Sequence, residues 1–179
     1  SGLIIASTAV PSNIFDHVTM NAEDEYVTAG TSTKVTVAGV SPSGSSAIIP
    51  ADIAYTVVNG TYENGILTAT AVGDVVLTAT YNSKEVGSVT IHAVVPEKLA
   101  FVGSTITVPY GKTVSLNLTA TYGLNEVKFK ASDLLLTLSD NGVGTIDGLS
   151  FTAGDGTVST STVTATIKGT SVSASATIN

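Results

Sequence analysis

The 179-residue sequence has no cysteine, no tryptophan and no arginine. Without cysteine there can be no disulfide, no thiolate nucleophile and no cysteine-bound zinc or iron–sulfur centre. This absence is compatible with either side of a membrane, because many bacterial extracellular proteins avoid cysteine. The charge is −7, from 14 acids and 7 lysines. The chain therefore lacks both the guanidinium fork that reads bases and the positive field that neutralises phosphates, and nucleic acid is not an expected partner. No apolar run approaches the roughly 20 residues a spanning helix needs, so membrane insertion is not expected. No basic segment precedes an apolar one at the start, and the sequence is expected to be a mature fragment or an excised piece. With 43% apolar and only 12% charged residues, the composition is the reverse of the disorder signature. The length suits one or two domains.

Serine and threonine are abundant, at 48 residues. They alternate with apolar residues at a period of two, as in Thr33–Val37, Ile66–Ala71 and Val75–Tyr81, and again in Ser88–Val94, Ser104–Val108, Thr113–Thr121, Ser161–Ile167 and Ser171–Ile178. Successive side chains of a strand point to opposite faces, so this alternation describes half-buried strands. Turn dipeptides that tolerate positive φ separate them, among them Asn59-Gly60, Asn64-Gly65, Asn141-Gly142, Asp147-Gly148 and Asp155-Gly156. Short strands with closely spaced turns predict an all-β sandwich. A helical turn is expected at most near Ile48–Ile53 or Lys130–Leu136, and His17 falls in a loop-like opening.

The pattern occurs twice. Thr28–Val37 corresponds to Val108–Leu116, Glu63–Ala69 to Ile146–Ala153, and Val76–Lys84 to Thr162–Gly169, in the same order and at nearly constant offset. Two sandwiches follow, at 13–95 and 96–179, dividing near Val95-Pro96-Glu97-Lys98, where a proline ends an apolar strand. So short a link predicts a restricted hinge. Residues 1–95 hold eight acids and two lysines, residues 96–179 six and five, so most of the charge belongs to the first copy. Residues 1–12 fit neither copy and are expected to be an upstream strand or the remnant of a preceding domain, with the remnant preferred.

The run from Asn64 to Tyr81 reads Asn-Gly-Ile-Leu-Thr-Ala-Thr-Ala-Val-Gly-Asp-Val-Val-Leu-Thr-Ala-Thr-Tyr, and Ser88-Val89-Thr90-Ile91 follows. It resembles the group 2 bacterial Ig-like domain, a family related to the repeats of invasin and intimin. The second copy keeps Asp147-Gly148, Phe151-Thr152-Ala153 and Val163-Thr164-Ala165-Thr166 but has a longer link around Gly154–Thr157. The resemblance implies two Ig-like β-sandwiches in tandem, from a bacterial extracellular or cell-surface protein. More faintly, Ser1–Ser7 looks like the strand that closes the catalytic domain of secreted bacterial phosphodiester glycosidases. In that family the catalytic residues would lie upstream, and none falls in this chain.

No catalytic constellation stands out. The two histidines, His17 and His92, are far apart, and there is no G-x-S-x-G elbow, phosphate loop or H-E-x-x-H. No enzyme activity and no cofactor are expected. Asp16, Glu23, Asp24 and Glu25 are the candidates for Ca²⁺ ligands, which must converge in sixes to eights. A run of acids before a strand reads first as solvated surface. Asp140, Asp147 and Asp155 read as turn residues. A lysine–asparagine isopeptide bond involving Lys34 and Asn117 would also need a buried carboxylate partner.

Two functions remain open on the sequence. One is a non-catalytic spacer, presentation or adhesion-type module pair, whose partners are the neighbouring domains of a larger parent and a cell-wall glycan or surface protein. The other is a carbohydrate-binding accessory module of a wall- or polysaccharide-acting enzyme, which calls for coplanar exposed rings among Tyr26, Tyr55, Tyr62, Tyr81, Tyr110 and Tyr122.

Overall fold

A computed structural model of the protein describes Gly2 and residues 14–179; the strand or remnant expected over 1–12 lies outside the described residues, apart from Gly2. In the first half β1 is His17–Ala22, β2 Tyr26–Val27, β3 Ser32–Val40, β4 Ser46–Ala47, β5 Ala54–Val58, β6 Gly60–Glu63, β7 Ile66–Ala69, β8 Gly73–Tyr81 and β9 Lys84–Ala93. In the second half β10 is Lys98–Phe101, β11 Thr105–Ile106, β12 Thr113–Ser115, β13 Leu118–Tyr122, β14 Asn125–Glu126, β15 Leu134–Leu138, β16 Gly144–Asp147, β17 Ser150–Ala153, β18 Ser161–Ile167 and β19 Ser173–Ile178. The fold is all-β. Among the described residues no helix is long and apolar enough to cross a membrane.

Each half has two layers. In the first, β1-β3-β7-β6, with β4 beside β3, faces β2-β9-β8-β5. In the second, β10-β13-β14 and β12-β17-β16 together face β11-β19-β18-β15. A short early strand runs parallel to the last strand in both halves, β2 along β9 and β11 along β19. The remaining pairs between these strands are antiparallel, as Ig-like sandwiches require.

Alternation decides the faces. Leu67, Ala69, Val75, Leu77 and Ala79 are all fully buried and meet Val27, Val35 and Ile91 in the first core. The second half packs two adjoining groups, one around Phe151, Leu116, Val163 and Ile178, the other around Leu99, Ala120, Val127, Leu134 and Ala165. Each large side chain so buried contributes roughly 1.5–3 kcal/mol. Gly60 and Gly144 occupy matching places, paired with Ala69 and Ala153. A Cβ on Gly60 would lie 2.6 Å from the Thr68 carbonyl oxygen, and one on Gly144 would strike that of Thr152. Both glycines let the chain pass close to its neighbour as it changes sheets.

Several expectations need correction. His17 opens β1 rather than sitting in a loop, because Val18 and Met20 bury the alternate positions. Thr113–Thr121 is not one strand. Its period of two is unbroken, but β12 pairs with β17 and β13 with β10, and Leu116 and Asn117 lie between the ladders. The helical turn expected at most near Lys130–Leu136 does form, as a single 3₁₀ turn at Ala131–Asp133 before β15 begins, whereas Ile48–Ile53 forms no helix. The hydroxyl residues divide between solvent and interior. Thr28, Thr31, Thr33, Ser41 and Ser161 are buried, each with a hydrogen-bond partner.

Candidate functional site at the junction of the two halves

The most unusual chemistry lies where the halves meet. Segment 125–128 pairs on one side with β13 and donates from Val127 N–H to the Ala120 carbonyl at 2.9 Å. On its other side it meets β2. Lys128 N–H donates to the Tyr26 carbonyl and Thr28 N–H to the Lys128 carbonyl, each at 2.9 Å. One ladder therefore runs from β5 through β8, β9, β2 and segment 125–128 to β13 and β10. The short link at Pro96 is not the only tie, and the hinge expected there is braced by backbone.

Side chains lock the same place. Asp133 Oδ2 accepts from Thr28 Oγ1 at 2.6 Å and from Lys130 N–H at 3.0 Å, and Asp133 Oδ1 accepts from Lys130 Nζ at 2.8 Å. Since Thr28 donates to Asp133, its oxygen accepts the proton of Thr31 Oγ1, 2.6 Å away. Lys130 Nζ also donates to the Ala29 carbonyl at 2.9 Å. The turn at 28–31 and the turn at 130–133 thus interlock through charge-assisted hydrogen bonds. Burial alone would raise the Asp133 pKa. The Lys130 backbone and side-chain hydrogen bonds, that of Thr28 and the Lys130 charge together outweigh it and hold the carboxyl below its usual value.

The calcium candidates divide. Asp16 lies before β1, its Oδ2 2.8 Å from His17 Nδ1. Glu23, Asp24 and Glu25 follow that strand, whose six extended residues separate them from Asp16 by about 20 Å. They line a groove of about 410 Å³ with Glu126 and Lys128. Asp24 Oδ2 accepts from Thr33 Oγ1 at 2.8 Å and from Lys128 Nζ at 3.1 Å, so this carboxylate braces the junction. Among the described residues no three His, Asp or Glu side chains converge in a way that could hold a metal.

The other singled-out residues have local duties. Asp140 Oδ1 accepts from Gly142 N–H, and Asp155 Oδ1 accepts from Thr157 N–H, which lowers the Asp155 pKa. Lys34 and Asn117 are exposed and belong to different halves. Tyr55 and Tyr62 pack on each other beside the first core, and burial raises both their pKa values. Tyr81 meets Phe15 edge-on, and the Tyr110 ring lies over Gly156.

Tyr26, His92 and Tyr122 form a row across the junction. Tyr26 lies 4.9 Å from the imidazole and 6.2 Å from Tyr122 between ring centroids, and His92 Nδ1 is 2.7 Å from Asp74 Oδ1. The two tyrosine planes are 24° apart and stacked, which is not the side-by-side platform a sugar ring would cover. The corresponding residues of the second half are Thr107 and Asn179, placed by the matching bonds His92 N–H to Glu25 and Asn179 N–H to Ile106. They share one hydrogen bond of 2.8 Å. The sandwich itself therefore does not need aromatic residues there. The sequence could not reveal the row or the Thr28–Asp133 lock, because their members lie up to 105 residues apart.

No family model and no curated protein matches the sequence. Solved structures do match. Domains 5–6 of the S-layer protein SbsC share 16% identity at a TM-score of 0.42, over 92% of this chain and 97% of that one. Invasin, a bacterial integrin-binding protein, shares 14% at 0.41, over 92% of this chain and 39% of its own. A C-terminal fragment of intimin, solved with the intimin-binding domain of the translocated intimin receptor, shares 13% at 0.34, over 89% and 62%. The chain spans less than two thirds of the invasin and intimin chains. Its similarity is to tandem Ig-like domains of bacterial surface proteins, and it is a similarity of fold.

Proposed function

We infer that the chain is a rigid pair of non-catalytic Ig-like modules, dividing at Val95–Glu97, that spaces or presents neighbouring domains of a bacterial surface or secreted protein and offers an adhesion-type surface. The observation that carries this reading is the double tie at the junction, a backbone ladder plus the Thr28–Lys130–Asp133 lock. Tandem domains joined only by a flexible linker move relative to one another by default, and cross-links of this kind remove that freedom. Each imidazole among the described residues is hydrogen-bonded to a carboxylate, and no hydroxyl is hydrogen-bonded to either ring as a nucleophile would be. The extracellular location is supported by the motif resemblance.

Because the chain has no cysteine, spin labels can be placed without background. With labels at Glu85→Cys and Thr160→Cys, both exposed and in different halves, pulsed electron spin resonance should give one narrow distance distribution in solution. A broad or bimodal distribution would remove the rigid-pair reading.

A further inference from the structure

Two concavities meet at the junction and share Val72 and Val94 as lining. One, of about 290 Å³, is walled by Tyr26, His92, Tyr122 and Asp74. The other, of about 320 Å³, continues past Val95 and Pro96 to Lys168. Together they form a groove with an acidic aromatic end, an apolar middle and a far end where Lys168 lies beside Asp133, whose carboxylate is already taken up by Thr28 and Lys130. Val72 is 59% exposed, Val95 46% and Tyr122 40%. Asp74 is 68% exposed, and among the described residues only one of its carboxylate oxygens is engaged, by His92. Lys168 has no ion-pair partner among the described residues.

We propose that this groove binds an extended peptide segment of a partner protein, with a lysine or arginine over Asp74 and the tyrosines, apolar side chains over Val72 and Val95, and a carboxylate at Lys168. The proposal rests on the chain being an interaction module and names the partner's chemistry. Charge complementarity selects the occupant. A cation gains from the Asp74 carboxylate and from the adjacent tyrosine rings, while the valines and Pro96 favour aliphatic side chains over sugar hydroxyls. The second half, with Thr107 and Asn179 at the matching places, offers no aromatic end. The site therefore exists once, where the halves join.

The test uses fluorescence anisotropy with three labelled synthetic peptides: one in basic–apolar–apolar–acidic order, one with both charges at the same end, and one with both charges replaced by glutamine. A soluble cell-wall oligosaccharide serves as competitor. The first peptide should bind best. Asp74→Asn should weaken it about fivefold, the weight of a partly exposed ion pair. Lys168→Glu should weaken it similarly, and a peptide whose acidic end is replaced by lysine should restore binding to that variant. Equal binding of the three peptides, no binding, indifference to both substitutions, or displacement by the oligosaccharide would each overturn the proposal. If the spin-label distance stays narrow while no peptide binds, the groove assignment fails alone and the rigid pair stands.

Discussion

The two halves repeat one topology but complete their cores differently. Among the described residues, everything packed in the first core comes from residues 15–93. In the second half the group beside the junction, around Leu99, Val127 and Leu134, is covered in part by Tyr26 and Val94 of the first half. The first copy is thus self-contained, and the second is finished by its neighbour. A repeat in sequence therefore does not make two equivalent folding units, because burial is set by what lies alongside as well as by the pattern within.

The sharpest challenge to this asymmetry compares matched core positions, Leu67 and Phe151, both fully buried and placed at the same point of β7 and β17. Phe151→Ala should cost about 3–5 kcal/mol and unfold the second half alone, whereas Leu67→Ala should cost about 2–5 kcal/mol and lower the unfolding transition of both halves. Urea titration read by hydrogen exchange separates the two. Independent transitions in both variants would show that the second half completes itself.

A smaller effect concerns acid. The Asp133 carboxyl is held below its ordinary value of 3.8 in the folded chain, so around that pH the unfolded chain binds more protons. The stabilisation is present above that value and is lost as pH falls through the native pKa. Mild acid should leave the spin-label distance narrow, and stronger acid should broaden it before the first core unfolds. Asp133→Asn should remove this acid step, and an unchanged pH profile would mean that the lock does not set the orientation.

The smallest effect is expected at Lys128, whose ammonium meets Asp24 with both side chains partly exposed. Lys128→Ala should change stability by less than about 1 kcal/mol, because solvent screens such a pair and the backbone bonds of residue 128 persist. A larger loss would show that this ion pair, rather than the ladder, carries the junction.

Much of each sandwich was legible because a period of two reports directly which face is buried. Leu67, Leu77 and Val163 could be placed from their neighbours alone, as could the turns at Asn64-Gly65 and Asp147-Gly148. Strands at an edge were harder to see. Ala54–Val58 alternates between exposed and half-buried positions with none fully buried and puts Val58 on the exposed side, so its sequence marks no clear apolar face, and the leucine-rich β15 reads as readily as a helical turn. The candidate site was less legible still. Asp24 reads from the sequence first as solvated surface and only then as a calcium candidate, yet it serves as a brace, and nothing in the sequence links Tyr26 to His92.

Alternation, turn residues and the internal repeat by themselves determined that this chain forms two layered β units, since these are local properties of backbone and side-chain direction. Tertiary structure alone decided that β3 stays whole while its counterpart divides into β12 and β13, that Asp133 reaches Thr28, and that an aromatic groove forms where the halves meet. Those outcomes depend on which strands become neighbours, and a period of two specifies a face but not a partner.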